Sequence, residues 1–263
     1  MDHHSSWYHF LPWYSQLMAF FQDNFAETVV FRSGLFPKER IFETMHHVFA
    51  ALLVLIILVA MSLIARVRLK NLEKALIPSP HITLVNLIEV LMTVVISLMR
   101  DIIGHDYKRY VPLIGTSALF ILCSNLLGLV PGFVPPTDNL NTTIGCGLVV
   151  FAYFNFHGLR VHGLGHILHL ANPLGAWWGW FLSPLLFPVE LVGLLVRPLS
   201  LGIRLAGNMI GDHKVLFAFA GILPFLLPLP FYLLGLLVCI IQTVVFCLLT
   251  CVYISLHTQE ESH

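Results

Sequence analysis

A nearly unbroken apolar run occupies residues 46–65, and it limits the possible folds more than any other feature of the chain. Its length is close to the roughly 20 residues with which a helix crosses a hydrocarbon core of about 30 Å. Hydrophobic residues make up 57% of the 263 residues and charged residues only 11%. This composition is typical of polytopic membrane proteins, so we expect an all-α membrane protein rather than a water-soluble domain.

The distribution of basic residues predicts how the chain crosses the membrane. "RVRLKNLEK" directly follows the first apolar run, and the positive-inside rule places it in the cytoplasm. The loop "FVPPTDNLNT" and the turn "LPFLLPLP" contain no Lys or Arg, so both are expected outside. This alternation predicts five transmembrane helices, with the N-terminus outside and the C-terminus inside. The predicted crossings are residues 46–65, 110–132, 143–159, 178–222 and 231–256.

Two further segments are expected to lie at the membrane surface. Residues 82–104 contain Glu89, Arg100 and Asp101 and are flanked by basic residues, which favours an amphipathic helix on the inner surface. Residues 1–44 carry several Trp and Tyr residues and no signal-peptide pattern, and are expected to form an interfacial segment outside. The remaining residues, 45–263, are expected to form a single helical membrane domain.

The last two apolar segments are longer than a perpendicular crossing requires. The first of them also contains Pro184, Pro188 and Pro198, so we expect a tilted or kinked path. The formal net charge is zero and there is no long basic run, which excludes nucleic acid as a partner. All five cysteines fall in apolar segments and are interpreted as small hydrophobic residues rather than disulfide partners.

A polar stripe interrupts the apolar sequence between residues 197 and 213. Arg197, Ser200, Arg204 and Asn208 are spaced three or four apart and share one helical face, with Gly207 beside them. A mid-membrane arginine costs roughly 2.5 to 3.5 kcal/mol on insertion scales, which indicates a functional site. Arg197 is expected to snorkel to an edge. Arg204 lies deeper, and its guanidinium keeps its proton, so it can stabilise a carboxylate.

The stripe "RPLSLGIRLAGNM" is similar to the signature of subunit a of the F-type ATP synthase, in its bacterial and organellar form. Arg204 stands at the position of that family's essential arginine. Further motifs occur in the family's order along the chain: "SNLLGLVPG" with Asn125, then "PPTDNLNTT", then Glu190, and after Arg204 "IIQTVVF" with Gln242. The resemblance covers about residues 40 to 260.

The resemblance implies the stator half of a rotary proton motor. Its partners would be a ring of c subunits, the peripheral stalk subunit b, membrane lipid and, indirectly, the F1 sector. Arg204 would ionise the passing carboxyl of each c subunit, and polar residues would line two offset proton half-channels. The resemblance implies no cofactor and no metal, and a bacterial inner membrane is the expected location. The implied channel residues are Asn208, Gln242, Glu190, Asp212, His213, Ser200, Asn125 and Asp138.

The chain departs from the family's pattern in the outer half. His213 stands where some members have a carboxylate, and Gly235 stands where they have a histidine. Asp212 is the candidate replacement as titrating group, with His213 as a second proton site. On the outer loop, either Asp138 or Asn139 corresponds to the residue at the channel entrance.

Two other functions remain open on sequence grounds. A free-standing secondary transporter would use Arg204 as counter-ion for its substrate, but the chain shows no internal repeat. A membrane metalloenzyme would use the histidine cluster between residues 157 and 169, but no second histidine box or acidic pair accompanies it. That cluster consists of His157, His162, His166 and His169.

Overall fold

The described part of the chain is almost entirely helical, apart from the loop between the third and fourth α-helices. The computed structural model describes residue 16 and residues 46–69, 84–130, 132–162, 179–222 and 228–259. These residues form six α-helices and two short 3-10 helices, Gly104–Asp106 and Pro136–Asp138, and contain no strand. The all-α prediction is confirmed, whereas the interfacial segment expected over residues 1–44 lies almost wholly outside the described residues. The α-helices are α1 (His46–Leu69), α2 (Leu84–Ile103), α3 (Tyr107–Gly128), α4 (Leu140–His162), α5 (Gly179–Ile222) and α6 (Pro228–Gln259).

Each apolar segment found in the sequence corresponds to one of these helices. The segments predicted over residues 178–222 and 231–256 become α5 and α6, which have 44 and 32 residues. Pro184, Pro188 and Pro198 all lie inside α5, which is assigned as one continuous helix. Among the described residues, two stretches are long and apolar enough to cross a membrane, His47–Val67 and Pro228–Leu256. The full set of five crossings therefore stays a prediction.

Two glycines allow the chain to turn at either end of α3. Gly104 has φ of 80° and begins the 3-10 helix that separates α2 from α3. Gly132 has φ of 91° and lies in the loop that follows α3. Both values fall in the left-handed region, which a residue with a Cβ atom rarely adopts. We call residues 129–139 the α3–α4 loop, and it contains the second 3-10 helix.

The core is formed by helices α2 to α6, and α5 lies closest to α4. A Cβ atom added at Gly147 of α4 would lie 2.6 Å from the Pro198 carbonyl oxygen of α5. One added at Gly202 of α5 would lie 2.8 Å from Cα of Ile144. The two helices therefore touch backbone to backbone, which only glycine permits at this separation.

The two remaining faces of the fold are built differently. α2 packs on α3 and α6, and the Ser255 hydroxyl of α6 donates to the Ile102 carbonyl near the end of α2, at 3.0 Å. α1 packs mainly on α3 and the second 3-10 helix and leaves most of its apolar side chains exposed. α1 is thus the least integrated of the described helices.

The contact between α4 and α5 yields a matched pair of substitutions. Gly147→Ala places a methyl group against the Pro198 carbonyl, and overpacking of this kind costs about 1 to 3 kcal/mol. Gly145→Ala, on the same helix, meets nothing within 4 Å. We expect Gly147→Ala to lower the thermal unfolding temperature of the purified full chain in detergent, while Gly145→Ala leaves it near that of the unchanged protein. Equal unfolding temperatures for the two variants would contradict the backbone contact.

Candidate functional site

Arg204 lies near the middle of α5 with its side chain exposed. Its neighbours Leu205 and Ala206 are completely buried and fix the inward face of the helix. In the part of the chain that the structure describes, no residue forms a hydrogen bond or ion pair with the Arg204 guanidinium. The position within the helix thus directs a permanent positive charge away from the core.

The surface around Arg204 is largely apolar. Gly207 and Gly211 lie on it, and a Cβ atom at either position would meet nothing within 4 Å. Both helices also carry large exposed apolar side chains, and we call the surface formed by these residues, the two glycines and Arg204 the α5–α6 face. A cation in such surroundings is suited to receive an anion carried by another apolar surface. The exposed apolar side chains of the face include Val192, Val196, Leu199, Ile203, Leu233, Leu237, Ile240 and Ile241.

A polar cleft between α5 and α6 opens on this face beside Arg204. Asn208 donates from Nδ2 to Oε1 of Gln242, at 2.8 Å, and Gln242 is only 5% exposed. The half-buried Asp212 contributes a carboxyl group to the same cleft, whose volume is about 350 Å³. Three of the predicted channel residues are therefore brought together. The remaining lining residues are Gly207, Gly211, Val238 and Ile241.

His213 points away from that cleft, toward the end of α3. Its Nε2 atom lies 3.0 Å from the Gly128 carbonyl oxygen. This carbonyl belongs to the last turn of α3, where no helical donor remains, so the imidazole N–H supplies one. Met209 and Pro135 surround the same glycine. His213 thus joins α5 to α3, and Asp212 alone of the two faces the cleft.

Asn125 forms a second polar site inside the protein. Its Oδ1 atom accepts a hydrogen bond from the Thr137 hydroxyl, at 2.8 Å, and both side chains are almost fully buried. The hydroxyl of Ser124, the preceding residue, is also buried and has no hydrogen-bond partner among the described residues. Since buried polar groups normally have partners, this hydroxyl is an exception in the core.

The two candidate residues of the α3–α4 loop, Asp138 and Asn139, have different surroundings. Asp138 is half-buried in the 3-10 helix. Asn139 follows it and caps α4, since its Oδ1 atom accepts from the backbone N–H of Asn141, at 2.9 Å. The Asn139 Nδ2 atom lies 3.3 Å from Nδ1 of His47, in the first turn of α1.

The two polar residues that precede Arg204 on α5 are held differently. Ser200 donates its hydroxyl hydrogen to the Arg197 carbonyl, at 3.1 Å. The Arg197 guanidinium lies 5.7 Å from the ring centre of Tyr253 on α6, a cation–π contact. Glu190 belongs to α5 about four turns before Arg204, but its side chain lies outside the described residues. The residues of the stripe therefore all lie on α5 but face different surroundings: its own backbone, side chains of α6, and open surface.

Several residues of these sites gave no signal in the sequence. Thr137, Ser124 and Tyr253 belong to no spacing pattern, because their partners come from distant parts of the chain. Among the described residues, no group of His, Cys, Asp and Glu is arranged to hold a metal ion. His166, His169 and the side chains of His157 and His162 lie outside the described residues, so the histidine cluster is not part of that result.

Comparison with known proteins agrees with the resemblance seen in the sequence. The family model described as ATP synthase A chain matches residues 47–255. ATP synthase subunit a of Sorangium cellulosum is 41% identical over 217 residues, which cover 82% of this chain and 83% of the relative. ATP synthase subunit a of Geobacter sulfurreducens is 42% identical over 211 residues, covering 80% and 86%. A match of this extent identifies an all-helical membrane protein that belongs to the ATP synthase A chain family.

Proposed function

We propose that the chain is the stator subunit a of the F0 sector and couples proton flow to rotation of a ring of c subunits, with Arg204 as the partner of each ring carboxyl. One observation carries the proposal: an exposed arginine without a partner among the described residues lies on an apolar face. The α5–α6 face would be the surface that meets the ring.

The chemistry follows from two opposite effects on a carboxyl group. In lipid, desolvation raises the pKa of a carboxyl and keeps it protonated. Beside the guanidinium of Arg204, the same carboxyl has a lower pKa and releases its proton. Because a guanidinium cannot lose its own proton, Arg204 blocks direct passage of protons along the face. Each proton therefore travels on the ring.

The polar sites fall on two sides of Arg204, which supports two separate half-channels. The α5–α6 cleft with Asn208, Asp212 and Gln242 follows Arg204 along α5, toward the predicted outer side. In this proposal His213, Asn125 of α3 and the loop residue Asp138 extend that outer half-channel. Ser200 and Glu190 precede Arg204 and belong to the inner half-channel.

The same proposal fixes the surroundings of the chain. α1, α3, α4, α5 and α6 cross a bacterial inner membrane, and α2 lies along its cytoplasmic surface. The N-terminus is outside and the C-terminus is in the cytoplasm. The c-ring covers the α5–α6 face, subunit b holds the chain in place, and the F1 sector is reached through that stalk. The exposed apolar side chains of α1 support contact with lipid or with another membrane subunit.

Replacement of Arg204 tests the proposal directly. In inverted membrane vesicles that contain the whole complex, Arg204→Ala is expected to abolish ATP-driven proton pumping, because ring carboxyls would no longer ionise at the face. Passive proton leak is expected to rise, since the blocking charge is gone. Lys214→Ala is the matched control, because Lys214 is another exposed cation of α5 and should leave pumping intact.

The two outcomes separate the functions considered for this chain. Coupled pumping by Arg204→Ala at wild-type assembly would exclude Arg204 from the coupling step. Solute transport by the isolated chain in liposomes would instead support a free-standing transporter.

A second substitution tests the cleft. Gln242→Leu leaves the Asn208 amide without its partner, a loss that costs about 1 to 3 kcal/mol. We expect ATP-driven pumping to fall roughly tenfold, because 1.4 kcal/mol corresponds to a factor of ten. Gln242→Glu keeps an oxygen acceptor and should retain more activity, and Ile241→Leu in the same cleft should pump normally. Normal pumping by Gln242→Leu would exclude this bond from the proton path.

A further inference from the structure

The contact between His47 and Asn139 joins the least integrated helix to the α3–α4 loop. Beyond it, the first turns of α1 are held to that loop by a small apolar cluster in which Phe49, Leu53 and Phe133 surround the buried Ala50. The distance from Asn139 Nδ2 to His47 Nδ1 is 3.3 Å. This hydrogen bond and the apolar cluster together attach the start of α1 to the loop.

The direction of this hydrogen bond fixes the protonation state of the His47 ring. An amide NH2 group only donates, so His47 Nδ1 must accept and cannot carry a proton. The amide cannot simply turn over, because its oxygen is already engaged by the Asn141 N–H, at 2.9 Å. A turned amide would oppose two donors and lose the cap of α4. The contact is therefore compatible with a neutral ring only.

We propose that His47 is a pH-sensitive latch, which holds α1 to the α3–α4 loop while its ring is neutral and releases the loop when the ring takes up a proton. Imidazole groups change charge between about pH 5 and pH 8, so the latch is closed above this range and open below it. In terms of the proposed function, on which this role rests, the latch lies at the outer entrance of the proton path. Acidification of the outer compartment would open that entrance.

The described titratable groups around the start of α1 lie on the α3–α4 loop, at the end of α3 and on α5. Asp138 lies on the loop directly before Asn139, and Cys123 is on α3. α5 packs against the 3-10 helix of the loop and carries Asp212, His213, which contacts the Gly128 carbonyl, and Lys214. A protonated His47 ring can no longer accept from the Asn139 amide, whichever of these groups lies nearest to it.

Loss of the His47–Asn139 hydrogen bond would affect the buried pair Asn125 and Thr137 through the backbone of the loop. Thr137 lies two residues before Asn139 in the same 3-10 turn and donates to Asn125. The turn is closed by backbone hydrogen bonds from Asp138 N–H to Pro135 and from Asn139 N–H to Pro136, at 3.2 and 3.5 Å. These two amide hydrogens therefore report on the state of the loop.

Hydrogen exchange of the loop amides in the assembled complex tests the latch without relying on proton transport. Each variant is compared with the unchanged complex at the same pH, about 5 and about 8, so that the intrinsic pH dependence of exchange cancels. His47→Gln keeps an acceptor that never charges. At the lower pH, the unchanged loop should exchange about fivefold faster than that of His47→Gln, the effect of one lost hydrogen bond. At the higher pH, the two should be equal.

Two further variants serve as controls. His47→Leu has no hydrogen-bond acceptor, so its loop should exchange fast at both pH values. His105→Gln changes an exposed histidine elsewhere, so its loop should exchange like that of the unchanged complex. Equal exchange in all forms at both pH values would overturn the latch. If Arg204→Ala abolishes pumping but the loop exchanges equally in all His47 variants, the latch is wrong and the proposed function stands. If Arg204→Ala still pumps but loop exchange depends on residue 47, the proposed function is wrong and the latch stands.

Discussion

The charge of Arg204 cannot be removed, and the described part of the protein offers it no partner. A guanidinium stays protonated at every accessible pH, and burial without an anion is costly. The fold meets this constraint by leaving Arg204 exposed on an apolar face. An anion that neutralises it must therefore be supplied by another surface that packs on this face. The glycines that follow Arg204 on α5 leave open space on that face, and the cleft that they line holds amide and carboxyl groups.

The polar groups that accompany Arg204 are arranged by contacts between helices rather than by α5 alone. Gln242 of α6 holds Asn208, Tyr253 of α6 lies against Arg197, and the end of α3 holds His213. Adjacent residues of α5 thereby acquire different surroundings, and Asp212 and His213 face different helices. A single helical stripe is converted into a cleft, a surface charge and two anchoring contacts.

The sequence predicted the helices well because long apolar runs determine where a membrane protein can be helical. Helix limits agree closely with the predicted segments, and two residues that the family resemblance singled out, Asn208 and Gln242, form a hydrogen bond with each other. The pairing of Asn125 with Thr137, and of His47 with Asn139, was not predictable from spacing. Such pairs join residues from different helices and loops, and local periodicity carries no information about them. The opposite directions of Asp212 and His213 likewise depend on where α3 ends.

The close approach of α4 and α5 has a mechanical meaning if the α5–α6 face bears on a turning ring. A stator receives a sideways load equal and opposite to the one it exerts. At Gly147 and Gly202 that load passes from one helix backbone to the next, with no side chain between them to change rotamer. Such a contact deforms little, so α5 would be stiffly supported by α4 around Pro198 and Gly202, and the elastic compliance of the motor would reside elsewhere.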